Sequence, residues 1–90
     1  MSERPPEPTL EQIEQRICRI WADVLRVERI DPSDSFLAIG GTSLQGLRLV
    51  SRVRAEFDVS LPADLFLFLP TAAAMAGHIQ EALHDPEGTG

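Results

Sequence analysis

Asp34-Ser35-Phe36-Leu37-Ala38-Ile39-Gly40-Gly41-Thr42-Ser43-Leu44 joins a loop to a helix, and the reading of that junction sets the fold. Gly40 and Gly41 let the backbone turn where a side chain would clash. Thr42 or Ser43 then offers a helix start. Downstream, Gly46, Leu49, Val50, Val53 and Phe57 recur at spacings of three and four, the period of one buried helix face. Gly46 costs roughly 1 kcal/mol against Ala in a helix interior, so its use is the close approach of a neighbouring helix. Leu44 and Leu47 lie off that stripe, beside Ser43. Either they form an exposed docking patch or they widen the buried face, and pattern alone does not choose.

Upstream, Arg26 to Ser35 is polar and contains Pro32, which marks a long surface loop pinned to the core by Ile30 and Phe36. Before it, Leu10, Ile13, Ile17, Ile20, Trp21 and Val24 recur at helical spacing. Thr9 caps that first helix, with Gln12 completing a capping box. Residues 1–8, with three prolines and two glutamates, read as a disordered tail. Past the second helix, Leu61-Pro62 leads into a single helical turn around Ala63 to Phe66. Leu65 to Leu69 is continuously apolar, but no second such run exists to pair with it, so a short helix or a buried loop is preferred to a strand. Core filling is the default for Leu67, Phe68 and Leu69; exposure to a partner is the alternative. Pro70-Thr71 caps the last helix, whose inward stripe is Ala72, Met75, Ala76, Ile79 and Leu83. Residues 85–90 read as a second tail. The expected fold is an all-α four-helix bundle over residues 9–84: three main helices, a short third helix and a long first loop.

Ninety residues make one small domain, and 43% hydrophobic content supports a single core. The net charge of -6 argues against nucleic acid as a partner, since phosphates call for a basic surface. With one cysteine there is no internal disulfide, and Cys18, set among Ile17, Ile20 and Trp21, reads as a buried structural thiol. Two histidines beside that one cysteine leave no metal constellation. No signal pattern and no apolar run of membrane-spanning length is present, so a cytoplasmic protein without membrane contact is expected. A monomer is expected as well.

Ser43 is the residue with chemistry to offer. A hydrolase nucleophile elbow needs Gly two residues to either side, between a strand and a helix; position 45 is Gln and no sheet is expected. His78, on the last helix, reads as a half-exposed structural residue. No acid–base partner stands near Ser43 in sequence, so catalysis by this chain alone is not expected. The other use of such a serine is to be modified by another protein. A helix N-terminus, with unpaired N–H groups and the positive end of the dipole, favours a phosphate ester there.

Asp34-Ser35-Phe36 followed by Ile39-Gly40-Gly41-Thr42-Ser43-Leu44 resembles the phosphopantetheine attachment motif of acyl-carrier-type proteins, above all the peptidyl carrier (thiolation) domains of nonribosomal peptide synthetases. Ile20 to Leu25 with Val27 to Ile30 is similar to that family's first helix and loop. Leu49 to Arg54 with Phe57 is similar to its second helix, and Pro70-Thr71 to the start of its last. The resemblance implies that Ser43 accepts phosphopantetheine from coenzyme A, with Gly40, Gly41, Thr42 and Leu44 as its motif. It implies a phosphopantetheinyl transferase, an adenylating enzyme and condensation, tailoring or thioesterase enzymes as partners. Docking is expected at Leu44, Leu47, Arg48, Leu67 and Phe68.

Arg48, Arg52 and Arg54 face only Glu56 between Ser43 and Phe57, which favours the peptidyl type. A polyketide-type acyl carrier is the alternative within the family. From another class, the alternative is a small helical interaction domain in which Ser43 only caps a helix. Gln45 and Gly46 depart from the family's more usual Leu and Ala, and Asp64-Leu65-Phe66 sits one residue early. A chain that starts at Met1 and ends soon after its last helix reads as freestanding, with a domain excised from a larger synthetase as the other option.

Overall fold

Four helices carry the chain in a computed structural model that describes residues 8–84. The tails expected over 1–8 and 85–90 lie, Pro8 apart, outside the described residues. Helix α1 spans Leu10–Leu25 and starts at the capping box foreseen in the sequence. Thr9 Oγ1 accepts the Gln12 N–H at 3.1 Å, and Gln12 Oε1 accepts the Thr9 N–H at 2.9 Å. Ile13, Ile17, Ile20 and Trp21 are its buried residues. The expected stripe is too long at both ends: Leu10 is exposed and Val24 only partly buried, because the terminal turns of α1 run past the core.

Helix α2, Ser43–Phe57, buries the predicted stripe of Gly46, Leu49, Val50, Val53 and Phe57. Helix α3, Leu65–Phe68, begins two residues later than the turn expected at Ala63 to Phe66. The Leu65 N–H donates to the Pro62 carbonyl at 3.1 Å, so residues 62–65 form a turn and the helix follows it. Helix α4, Ala72–His84, is capped by Thr71, whose Oγ1 accepts the Ala74 N–H at 3.0 Å. Ala72, Met75, Ala76 and Ile79 face the core, with Leu83 packed at its edge. α1 packs on α2 and α4, and α3 on α2. Among the described residues there is no strand, only one isolated bridge between Ser35 and Thr71. No helix in them is long and apolar enough to cross a membrane.

The long loop of residues 26–42 is fastened by both side chain and backbone. Phe36 is fully buried, a burial that stabilises by about 1.5–3 kcal/mol. Its N–H donates to the Pro70 carbonyl at 2.7 Å, and the Ala73 N–H donates to Pro32 at 2.9 Å, tying the loop to the start of α4. The Phe36 ring stands edge-on to Trp21 of α1 (centroids 5.3 Å apart) and to Phe66 of α3 (5.6 Å). Trp21 Nε1 is buried without an acceptor among the described residues, at a cost of about 1–3 kcal/mol. Burying about 200 Å² of indole contributes about 5 kcal/mol, so the ring's packing wins.

Candidate functional site

Ser43 opens α2, and the chain ahead of it is wound tightly onto Phe36. The Ile39 N–H donates to Ser35 at 3.1 Å, Gly40 to Leu37 at 3.2 Å and Gly41 to Phe36 at 3.0 Å. Gly40 has φ +96°, a conformation that only glycine adopts without strain. Gly41 is there for space: a Cβ would lie 2.4 Å from the Phe36 ring. Upstream, Asp31 Oδ1 accepts the Ser33 N–H at 2.9 Å and its hydroxyl at 2.7 Å. Those bonds hold the Asp31 carboxyl below its ordinary pKa, and the Asp34 carboxylate accepts the Asp31 N–H in return.

The cap of α2 is Thr42. Its Oγ1 accepts the Gln45 N–H at 3.2 Å, while Gln45 Oε1 accepts the Thr42 N–H at 2.9 Å. Gln45, a departure from the usual family residue, is therefore the partner that closes a second capping box. Ser43 is left exposed, and its hydroxyl has no hydrogen bond among the described residues. The N–H groups of Ser43 and Leu44 have no acceptor there either, and the first turn carries no acid. The result is a free hydroxyl on the positive end of a helix, with two N–H groups beside it. An anionic ester on that oxygen fits the setting.

Exposed apolar residues gather around the junction. Leu44 and Leu47 are 59% and 45% exposed, which decides against the wider buried face. Arg48 follows them, also exposed. α3 reaches the same end of α2 because Phe66 packs on Gly46, where a Cβ would meet its ring at 2.6 Å. Beyond Phe66, Leu67 and Phe68 point outward, and Phe68 is 67% exposed. Of the three residues after Phe66, only Leu69 follows the core-filling default, partly buried against the core. Sequence reasoning missed Leu37 and Ile39, both exposed in the loop leading to Ser43. Their signal was an apolar run, Phe36 to Ile39, longer than one anchor requires.

The other candidates lie apart from this chemistry. His78 is exposed on α4 and makes no hydrogen bond to Ser43. Cys18 is half-buried on α1, and its thiol is pushed up to about 11, first by burial and then by Glu14, Asp31 and Asp34. It stays protonated at neutral pH and is no nucleophile there.

Comparison with known proteins fits this geometry. The family described as phosphopantetheine attachment site matches residues 15–79. Gramicidin S synthase 2 of Brevibacillus brevis is 39% identical over 69 residues, which are 77% of this chain and 2% of that protein. The chain thus spans a very small part of the curated relatives it matches. The type-II acyl-carrier-protein BlmI of Streptomyces verticillus, involved in bleomycin biosynthesis, superposes with TM-score 0.79 at 30% identity, covering 82% of this chain and 89% of that one. A peptidyl carrier protein in complex with the phosphopantetheine transferase Sfp and coenzyme A gives TM-score 0.73 at 30% identity, covering 84% and 95%. The family match runs from α1 through the loop and the start of α2 into α4, so fold and junction are matched together: the chain belongs to the phosphopantetheine attachment-site family.

Proposed function

We propose that this chain is a peptidyl carrier in nonribosomal peptide assembly, with Ser43 as the residue that receives phosphopantetheine from coenzyme A. The observation that carries the proposal is the division of labour at the start of α2: Thr42 caps the helix and leaves the Ser43 hydroxyl exposed and free. If Ser43 served only as a cap, its own oxygen would accept an N–H of the first turn. When attached, the arm supplies a terminal thiol that holds an aminoacyl or peptidyl group as a thioester.

This chain's own residues position and present. Ser43 Oγ attacks the pantetheine-side phosphorus of the coenzyme A pyrophosphate and becomes one ester oxygen of a phosphodiester; its proton passes to a base in the transferase, and the broken P–O bond releases adenosine 3′,5′-bisphosphate. The free N–H groups of Ser43 and Leu44 and the helix dipole favour the negative charge placed there, by about 0.3–1 kcal/mol. Gly40 and Gly41 keep the approach low, so an active site can close over the oxygen. The carrier catalyses nothing; tethering gives its cargo a high effective concentration at each enzyme it visits. Those enzymes are a phosphopantetheinyl transferase, an adenylating enzyme and condensation, tailoring or thioesterase enzymes. They dock on Leu44, Leu47, Arg48, Leu67 and Phe68, to which Leu37 and Ile39 add area. The exposed arginines of α2 support the peptidyl type over one built on an acidic helix.

Intact-mass measurement tests the site. After incubation with coenzyme A, magnesium and a promiscuous phosphopantetheinyl transferase, the wild type gains the mass of one phosphopantetheine group and Ser43→Ala gains none. Equal gain in both proteins, or none in the wild type, would falsify the assignment.

A further inference from the structure

The α1–α2 seam, which meets the Ser43 docking surface only at Leu47 and Arg48, carries an unusual charge. A cleft of about 840 Å³ between the helices is rimmed by Arg16, Arg19, Arg26 and Arg52. A second stretch of about 480 Å³ shares Asp23, Arg26 and Arg52 with it and adds Arg48. Five of the chain's eight basic residues thus line one continuous groove, against only two carboxylates, Asp23 and Glu56. The chain as a whole carries -6.

The two carboxylates do not use up the arginines. Arg16 pairs with Glu56 at 3.6 Å, and Arg52 pairs with Asp23. Among the described residues, Arg19, Arg26 and Arg48 have no carboxylate within ion-pair distance. The groove also has apolar surface: Ile20 forms part of its floor and Val27 stands exposed at its edge.

Arg26 adds an independent observation. It holds the left-handed conformation at the end of α1, φ 59° and ψ 46°, where glycine fits without strain. Asp58 does the same at the end of α2, but aspartate is among the residues that tolerate it. Arginine is not. Backbone strain kept at an exposed, unpaired cation is the pattern of a residue held for contact rather than for stability.

We infer that the α1–α2 groove is a docking surface for an acidic segment of a partner protein, one that sets carboxylates against Arg19, Arg26 and Arg48 and an apolar side chain against Ile20 and Val27. On a chain whose bulk charge is negative, a basic groove is the surface that attracts and orients an acidic partner segment. The contact does not involve the Ser43 oxygen and is measured without an arm on it.

The test uses the full chain, labelled with nitrogen-15, and a synthetic decapeptide of alternating glutamate and leucine. Amide shifts on titration should concentrate at Ala22, Asp23, Arg26, Val27 and Leu47, and should vanish near 1 M salt, where the screening length is about 3 Å. Arg26→Gly relieves the strained backbone, so it should raise the thermal midpoint while weakening peptide binding by about tenfold. Arg19→Gln should weaken binding with the midpoint unchanged. Equal affinity in Arg26→Gly, or shifts as large around Arg29 and Arg54 as in the groove, would overturn the inference. So would tighter binding of a short single-stranded DNA than of the peptide, which would make the groove a phosphate surface.

Discussion

Gly46 and Gly77 both sit inside helices, but what surrounds them opposes their effects. A Cβ on Gly46 would lie 2.6 Å from the Phe66 ring, which is itself held against Phe36; at Gly77 nothing lies within 4 Å. Gly46→Ala is therefore expected to lower stability by about 1–3 kcal/mol through overpacking. Gly77→Ala should raise it by about 0.4–1 kcal/mol, through helix propensity and a less flexible unfolded chain. Denaturant midpoints of the two variants would move in opposite directions; a shared direction would remove the contact argument. The packing role of Gly46 was legible, because a costly glycine on a buried stripe demands a neighbour. The role of Gln45 was legible too, since Thr42-x-x-Gln45 repeats the spacing of Thr9-x-x-Gln12. Set against a family pattern instead of against Thr42, it looked like a departure. Read against Thr42, the same spacing names Thr42 and not Ser43 as the cap of α2.

Each helix was legible to the extent that its apolar stripe was long. α1, α2 and α4 each run for three turns or more, enough for a period to stand out. α3 is a single turn of four apolar residues, Leu65 to Phe68, where period is undefined and every side chain looks like core. Its register depends on a turn closed by Pro62, and its division into buried Leu65 and Phe66 and exposed Leu67 and Phe68 depends on where α2 passes. The same ambiguity held for Leu44 and Leu47 on α2, which are apolar but off the stripe. Leu47→Glu checks the outcome. A side chain 45% exposed has only about half of its apolar area to lose, so stability should fall by no more than about 1.5 kcal/mol in thermal melts. On the proposed function, aminoacyl loading of the phosphopantetheine-bearing variant by an adenylating enzyme should fall. A large drop in the melt with loading intact would return Leu47 to the core.

For the molecule as a whole, composition makes one titration readable. Lysine and tyrosine are absent, and arginine stays charged beyond pH 12, so Cys18 is the one side chain set to ionise between pH 9 and 11. In the folded chain its pKa is raised from 9.0 to about 11, by burial first and by the Glu14, Asp31 and Asp34 charges after that. The sign follows from which state releases the proton more easily. Below pH 9 the thiol is protonated in both states and its stabilising contribution is complete; between 9 and 11 the unfolded chain ionises first, and stability falls as pH rises. The denaturation midpoint of the wild type should therefore decline across that interval, while that of Cys18→Ala stays flat. Iodoacetamide labelling of the folded protein should accelerate around pH 11 and not around 9. A flat wild-type midpoint, or labelling at the rate of an unburied thiol at pH 9, would mean that α1 and the acidic loop do not enclose Cys18 in solution. That outcome would also weaken the fastening of the loop, because Asp31 and Asp34 reach Cys18 only while Phe36 and Pro32 hold residues 26–42 against the bundle.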